Sequence, residues 1–482
     1  MAGSHPARLS GFAARWVAII LLVATSVALP ARADTTTTCS KIPPQAHFPL
    51  KVASTGRYLE DASGTPFLMI GDAAWSLIAG LTREDADVYL QDRRCRGFNT
   101  LLVNLIEYRF LRDPPRNAYR TAPFTAAGDF TSLNDAYFDH AEWVIGRAED
   151  LGFLVLLAPA YLGFNGAGEG WSSVMSANGK EALRGYGEAI GARFARFHNI
   201  VWVLGGDADP PDKGLIRALD EGLRLHDQSS LRTVHNAPET DTATYWAGES
   251  WLDLTSVYTY GPVHSAVLAQ HRRGAGKPYF HIESAYENEH GITTQKLRAQ
   301  AYEAFLGGAC GSVFGNNPIW HFSSGGLFPA STVWRDALAS PGARGMTHLR
   351  SVLHSRAWWR LRPLDLTGHA TSAAAWPLGS EPAEATGAAA DDGSFALIYV
   401  NAASSIGIDP DTLRPGAVVA RWFDPADGTH REAFSATPDA GGTLYSTPGR
   451  NSTGDTDWVL ILTAATKATQ EQHTRSTIFA QH

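Results

Sequence analysis

Two acidic residues, Asp207 and Glu283, each directly follow an apolar segment of the chain. The segment 200–204 has the continuous apolar, β-branched character of a strand that is buried on both faces, and two glycines then break it. Residues 278–282 lead to Glu283 in the same way. Because catalytic groups of a strand-and-helix barrel are carried at the carboxyl ends of its strands, we predict that the two acids face each other.

A converging pair of carboxyl groups is what hydrolysis of a glycosidic bond requires. One group protonates the leaving oxygen, and the other attacks the anomeric carbon or activates water there. Two further acids are alternatives for these roles. Asp209 precedes two prolines, as a helix cap would, and Glu287 lies further along the loop that follows Glu283.

A sugar ring has an apolar face and a rim of hydroxyls, so its site needs aromatic platforms and hydrogen-bonding groups. The ends of the predicted strands supply both. The predicted substrate-binding residues are Asp72, Trp75, Asn104, Glu107, Tyr108, His235, Tyr258, Tyr260, His281 and Trp320. As alternatives, each aromatic residue could belong to the core, the two histidines could be buried core histidines, and Asp72 could cap a turn.

Eight strand-then-helix units would position these residues, which predicts a (β/α)8 barrel of the α/β class. The predicted strands lie at 65–75, 99–105, 154–159, 200–205, 232–235, 253–258, 278–283 and 311–314, and helices are predicted at 82–97, 135–151, 180–197, 215–226 and 294–306. The proline-rich segment 113–130 has no periodicity and is expected to form a long loop over the strand ends. Such a loop would close a pocket around one terminal sugar.

The pattern changes after Ser355 to short strands without helices, at 395–400, 418–423 and 458–463, which predicts a C-terminal all-β sandwich domain. The predicted organisation is a signal peptide at 1–33, a linker at 34–47, the catalytic barrel at 48–356, the β-sandwich at 357–467 and a disordered tail at 468–482.

The amino terminus predicts secretion. Arg8 and Arg15 precede an apolar run from Trp16 to Leu29, and Ala31-Arg32-Ala33 has the form of a cleavage site. We expect an extracellular or periplasmic protein without an integral membrane segment after cleavage. A membrane anchor is the alternative, although the run is short for a span of about 20 residues.

The composition excludes several partners. The net charge is −8 and no basic stretch interleaves with aromatic residues, which argues against nucleic acid. There are 17 scattered histidines and neither a CxxC nor an HExxH pattern, so no metal or cofactor is expected. Three cysteines allow at most one intramolecular disulfide.

Five segments in order resemble the apiosidase-like catalytic domain of glycoside hydrolase family 140. They are Gly71-Asp-Ala-Ala-Trp75, Arg94-Cys-Arg-Gly-Phe-Asn99, Val201-Trp-Val-Leu-Gly-Gly-Asp207, the run from Pro278 to Glu287, and the run from Phe314 to Trp320. The resemblance covers about Phe48 to Arg356. Val419 to Gly428 is similar to the small β domain that usually follows, which is labelled collagen-binding.

The resemblance implies a retaining glycosidase in which Asp207 is the acid and base and Glu283 is the nucleophile. The activity known for the family removes apiose from a pectic side chain. We therefore expect a secreted, exo-acting hydrolase of a pectin-like or other complex glycan, with an oligosaccharide or polysaccharide as its substrate. A non-catalytic carbohydrate-binding or adhesion protein on a barrel scaffold is the first alternative, and a protease is the second.

Overall fold

The computed structural model describes residues 45–166, 168–274, 276–322, 328–366, 370–372, 385–402, 404–436 and 443–465. The predicted signal peptide, most of the predicted linker and the predicted tail lie outside these residues.

Eight parallel strands form one sheet that curls into a nearly closed barrel. In chain order they are β1 (Met69–Ala73), β2 (Thr100–Asn104), β3 (Leu154–Ala158), β4 (Ile200–Gly205), β5 (Leu231–His235), β6 (Thr255–Tyr258), β7 (Tyr279–Glu283) and β8 (Gly311–Phe314). Hydrogen bonding runs in the order β5-β4-β3-β2-β1-β8-β7-β6. Strands β5 and β6 meet through the Ser256 hydroxyl, which donates to the Val234 carbonyl oxygen. The predicted (β/α)8 barrel is confirmed.

A helix of the described chain follows each strand. They are α1 (Arg83–Cys95), α2 (Asp135–Asp150), α3 (Ser172–Phe194), α4 (Lys213–Arg224), α5 (Thr242–Tyr245), α6 (Val263–Arg273), α7 (Thr294–Leu306) and α8 (Pro341–His354). The Thr82 hydroxyl caps α1 by accepting from the Asp85 amide, as the sequence predicts. Helices α5, α6 and α8 were not predicted.

Two layers of apolar side chains alternate along the barrel strands. Met69 and Ala73 of β1 belong to the cluster that fills the barrel, whereas Ile70 belongs to the cluster between the sheet and its helices. Each strand therefore presents one set of residues to the interior and the other set to the helices. This alternation decides which strand-end side chains can reach a site at the barrel mouth.

The carboxy-terminal strands form two antiparallel sheets, which confirms the predicted all-β domain. One sheet contains Leu361–Pro363, Ala385–Ala390, Phe395–Val400, Trp458–Ala464, Val418–Phe423 and His430–Glu432, in that spatial order. The other contains Ala370–Ser372, Ser404–Ile408, Thr443–Ser446 and Ser435–Ala436.

Helix α7 joins the β domain to the barrel through buried polar contacts. Arg298 donates to both carboxylate oxygens of Asp457, at 2.7 Å each, and also to Asp455 at 2.8 Å. Three residues earlier, Gln295 donates to the side-chain oxygen of Asn401. A buried arginine needs such partners, so the two domains share a polar core at α7.

The cysteines occur in two states. Cys95 at the end of α1 is disulfide-bonded, and Cys310 is free and buried. Cys39 lies outside the described residues.

Within the described ranges, none of the helices has both the length and the apolar character needed to cross a membrane.

Candidate active site

The backbone turns sharply at the end of β4 and aims Asp207 at the barrel mouth. Gly205, Gly206 and Asp207 all have positive φ, at 88°, 129° and 52°. A Cβ on Gly206 would lie 2.4 Å from a ring carbon of Tyr161, so only glycine fits there. A non-glycine residue in this conformation is strained, and such strain is typical of functional sites.

A register shift in β7 gives Glu283 its direction. His281 pairs with Val257 of β6, but Glu283 pairs with Tyr258, so one residue is skipped between them. Tyr258 belongs to the cluster that fills the barrel, while Val257 faces the helices. Because of the irregularity, Glu283 shares the inward side of Tyr258, which is a known use of β-bulges near active sites.

Asp207 and Glu283 meet across the barrel mouth with His235 of β5 between them. One oxygen of each carboxylate and the Nε2 of His235 all lie within 4.8 Å of one another. The Nε2 atom is 3.4 Å from Asp207 Oδ1 and 3.3 Å from Glu283 Oε2. None of these three atoms makes a hydrogen bond within the described residues, so the imidazole nitrogen lies near both carboxylates without being aligned on either one.

The tautomer of His235 follows from its other nitrogen. The backbone amide of Asp207 donates to His235 Nδ1 at 3.3 Å, so Nδ1 is unprotonated and Nε2 carries the hydrogen. Although the three side chains are spaced like metal ligands, a metal would need the lone pair of Nε2. The hydrogen-bonding pattern therefore suits an N–H donor between two carboxyl groups better than a metal site.

Two tyrosines hold the acids from the sides. The Tyr161 hydroxyl donates to Asp207 Oδ2 at 2.6 Å. Tyr286 hydrogen-bonds to Glu283, and its own oxygen accepts from the indole N–H of Trp75 at 3.1 Å. Each carboxyl group is thus oriented by a side chain that is itself packed in place.

Burial raises the pKa of both carboxyl groups above their usual range. The pKa of Asp207 is raised further by the nearby charge of Glu283, while His235 and the Tyr161 hydroxyl oppose this rise. For Glu283, the hydrogen bond from Tyr286 partly offsets the effect of burial on the pKa. Like charges so close disfavour double ionisation, so near neutral pH the pair tends to retain a proton. That is the state a general acid beside a nucleophile needs.

A cavity of about 570 Å³ opens directly above the pair. Both acids line it, together with Trp75, Tyr260 and Trp320 from the predicted set. The other lining residues were not predicted; among them are Phe110, Tyr161, Phe164, Glu169, Tyr286, Glu289, Lys296 and Phe328. The volume is that of a small-ligand site, and the walls are largely aromatic.

Two predicted substrate-binding residues lie behind the acids. His235 is fully buried and stacks on Trp75, with ring centroids 5.6 Å apart. The Tyr258 ring also packs against His235, with ring centroids 4.9 Å apart, and its hydroxyl donates to the Tyr260 hydroxyl. Neither His235 nor Tyr258 lines the cavity, and their contacts are with the acids, with Trp75 and Tyr260, and with each other.

Asp72 lies outside the cavity, on the opposite face of its strand. It shares the outward face of β1 with Ile70, where it accepts from the Tyr89 hydroxyl and forms a 2.8 Å ion pair with Arg93 of α1. It is fully buried. We therefore do not assign substrate binding to Asp72, because its carboxylate is already occupied between sheet and helix.

Four other predicted residues also do not line the cavity. Glu107 accepts from three backbone amides in its own loop and from the Ser76 hydroxyl, so it holds the loop that carries Phe110. Tyr108 packs edge-on against Trp171. Asn104 lies on the inward side of β2 but is buried, and His281 faces the helices, where its Nδ1 lies 3.0 Å from the Ser312 hydroxyl.

The two alternative acids are committed to other contacts. Asp209 accepts from Asn236 and Thr240 of the loop after β5. It does not cap α4, since Asp212 accepts from the Gly214 amide there. Glu287 is buried and accepts from the Asn316 side chain.

The segment 113–130 does not form the expected cover of the pocket, since none of it lines the cavity. Phe124 and Phe130 pack instead against Trp171 and Tyr186. One wall comes from the loop after β7 and the start of α7, which carry Tyr286, Glu289, His290, Ile292 and Lys296.

Tyr161 and Tyr286 contact the acids but were not predicted. The sequence signal that could have located them is an aromatic residue within three positions of the end of a predicted strand.

Comparisons with known proteins agree with this geometry. The family model described as "Apiosidase-like, catalytic domain" matches residues 53–360, and a model whose description names a collagen-binding domain of a collagenase matches residues 379–463. No protein in a comparison with curated proteins matches the chain.

Solved structures share the fold. A glycoside hydrolase family 5 protein from Bacteroides vulgatus ATCC 8482 is 22% identical, with a TM-score of 0.73 over 87% of this chain and 95% of that one. A second structure, titled glycoside hydrolase, is 23% identical, with a TM-score of 0.72 over 88% of this chain and 99% of that one. Since the first family match spans more than half of the chain and covers both acids, the protein belongs to the apiosidase-like family and is a glycoside hydrolase.

Proposed function

We propose that this protein is a secreted, retaining, exo-acting hydrolase of a pectin-like or other complex glycan, of glycoside hydrolase family 140. The observation that carries the proposal is the pair of buried carboxyl groups, Asp207 and Glu283, with oxygens within 4.8 Å of each other beneath an aromatic cavity.

The short separation of the acids supports retention of configuration. Retaining enzymes hold their carboxyl groups about 5–5.5 Å apart, whereas inverting enzymes leave about 6.5–9.5 Å for a water molecule. The nearest oxygens of Asp207 and Glu283 lie within 4.8 Å of each other, which is closer to the retaining separation than to the inverting one. Direct attack by one carboxylate is therefore the favoured route.

The proposed reaction has two steps. In the first, a Glu283 oxygen forms a bond to the anomeric carbon, the bond to the leaving oxygen breaks, and Asp207 gives that oxygen its proton. In the second, Asp207 takes a proton from water, the water oxygen bonds to the anomeric carbon, and Glu283 leaves as a carboxylate. Glu283 is the nucleophile because it lies deeper, and the more accessible Asp207 exchanges protons with leaving group and water.

The shape of the cavity supports action on a terminal sugar. Its walls come from loops on several sides of the barrel mouth, including Phe110, Phe164, Tyr260 and Trp320. Aromatic rings suit the apolar face of one sugar ring, and Glu169 and Glu289 can accept hydrogen bonds from its hydroxyls. A site of about 570 Å³ suits one or two sugar units better than a long chain.

The disulfide bond of Cys95 supports an exported protein, because disulfides persist mainly in oxidising compartments. The amino-terminal apolar run and cleavage pattern point the same way.

A screen of the purified protein against pectic, arabinan and galactan fragments and synthetic glycosides tests the proposal. We expect release of single sugars from at least one pectic fragment and no release by the Glu283→Gln variant. Binding without turnover by either protein would favour the non-catalytic carbohydrate-binding alternative. Release of internal oligosaccharides would contradict exo action.

A further inference from the structure

His235 is the one nitrogen donor that faces both catalytic carboxyl groups in the described structure. Its Nε2 lies 3.3 Å from Glu283 Oε2 and 3.4 Å from Asp207 Oδ1, nearly equidistant from the two atoms. The side chain has no exposed surface and lines no part of the cavity, so it does not contact the sugar.

The surroundings of His235 fix both its ring and its proton. Trp75 stacks on the ring at an interplanar angle of 21°, and the Tyr258 ring packs against it with centroids 4.9 Å apart. The Asp207 amide donates to Nδ1, so the ring is held as the neutral tautomer with hydrogen on Nε2. A positively charged ring would place two hydrogens against each other at this contact, and burial also lowers the pKa of His235.

The negative charge of the site changes place during a retaining reaction. Before the first step the charge is on Glu283 while Asp207 holds the proton. After the step Glu283 is an ester and Asp207 is the carboxylate. An N–H donor that serves both states must lie within reach of both oxygens, since hydrogen bonds to ionised groups are the stronger ones.

We propose that His235 is a positioning residue whose Nε2–H donates to Glu283 in the free enzyme and to Asp207 in the glycosyl-enzyme intermediate. The donor follows the negative charge from one carboxyl group to the other with a small shift of the ring. It stays neutral throughout and transfers no proton. This inference rests on the proposed retaining function.

The first test compares His235→Leu with His235→Gln. Leucine keeps much of the bulk and removes the donor, whereas glutamine offers an N–H at a similar distance from the backbone. We expect His235→Leu to lower kcat/KM by about 10²–10³-fold, as loss of a preorganised donor does, and His235→Gln to recover most of it. His140→Gln is the matched control, a buried histidine of α2 whose Nε2 lies 3.1 Å from the Leu81 carbonyl oxygen.

The pH profile separates positioning from a merely structural role. The titratable groups that face His235 are Asp207, Glu283 and Tyr258. Without the donor the ionised form of Glu283 is less stable, so its pKa rises and the acid limb of kcat/KM shifts to higher pH in His235→Leu. An unmoved acid limb, or a raised KM with unchanged kcat, would overturn the proposal.

A substrate-free measurement keeps the proposal testable if no glycan is cleaved. In ¹⁵N-histidine-labelled protein, the imidazole signals that vanish in His235→Gln belong to His235. We expect an unprotonated Nδ1 and a protonated Nε2 from about pH 5 to about pH 9. An imidazolium or an Nδ1-protonated ring in that range would refute the inference, whatever the screen shows.

Discussion

Asp72 and Asp207 occupy similar places in the sequence but opposite environments in the fold. Both follow a glycine at the end of a barrel strand. Asp72 remains within regular β1, faces the helices and pairs with Arg93. Asp207 follows two glycines of positive φ, faces the barrel mouth and meets a second acid. Asp72 is fully buried and the Asp207 side chain is only 13% exposed, so the main difference lies in the neighbouring charge.

The neighbouring charge determines whether a buried carboxyl group stabilises the fold or takes part in proton transfer. An arginine beside Asp72 stabilises its ionised form and opposes the effect of burial, and the pKa of Asp72 is raised to about 6. Among the described residues no arginine or lysine pairs with Asp207, and the charge of Glu283 adds to the effect of burial on its pKa. A buried acid with a cation stabilises the fold, whereas a buried acid beside another acid is poised for proton transfer.

The largest effect should follow from the catalytic pair. Asp207→Asn and Glu283→Gln remove the proton donor and the nucleophile without changing shape, so we expect turnover to fall by at least about 10²–10⁴-fold. Steady-state rates on the substrate found in the screen measure this, with circular dichroism as the control for folding. Wild-type turnover in either folded variant would remove that acid from the mechanism.

Asp72→Asn should affect stability instead. The substitution leaves Arg93 buried without its closest partner, and breaking a buried ion pair costs about 3–5 kcal/mol. We expect a lower midpoint in urea unfolding and nearly unchanged kcat for the protein that remains folded.

The exposed pair of Asp113 and Arg116 supplies the matched control for Asp72→Asn. Asp113→Asn breaks an ion pair whose side chains are 66% and 50% exposed, so its effect should stay below about 1 kcal/mol. If Asp72→Asn destabilised no more than Asp113→Asn but abolished activity, Asp72 would belong to the site.

The smallest effect is a gain in thermal stability in Glu283→Gln. The folded-state pKa of Glu283 is raised, so its ionisation destabilises the fold once the pH rises above the pKa of the unfolded chain, and this cost is complete above the folded-state pKa. The variant should therefore melt roughly 1–2 °C higher than wild type at about pH 8, for each kcal/mol relieved, and show little gain at about pH 4. Equal melting temperatures at both pH values would contradict the raised pKa.

The sequence was informative wherever a local pattern determined the structure. Apolar runs closed by an acid located β4 and β7, and their alternation with helices established the barrel. The Thr82 cap and the carboxy-terminal strands were also visible as local signals. These features depend on periodicity and capping, which act over a few residues.

The direction of a strand-end side chain could not be read in the same way. Asp72 and His281 were expected in the site, but strand alternation turns both toward the helices. Glu283 faces inward because of the register shift in β7, which depends on the pairing of neighbouring strands. The cavity walls from Glu289 and Lys296 depend on the path of a loop, which no periodic pattern marks.

The central claim is that Glu283 is a nucleophile that forms a covalent intermediate opposite Asp207. The most direct test uses an activated 2-deoxy-2-fluoro glycoside of the sugar that the screen identifies, followed by mass spectrometry of the digested protein. We expect time-dependent inactivation and a single sugar attached to Glu283. Attachment to another residue, or rapid turnover with inverted product and no adduct, would contradict the mechanism.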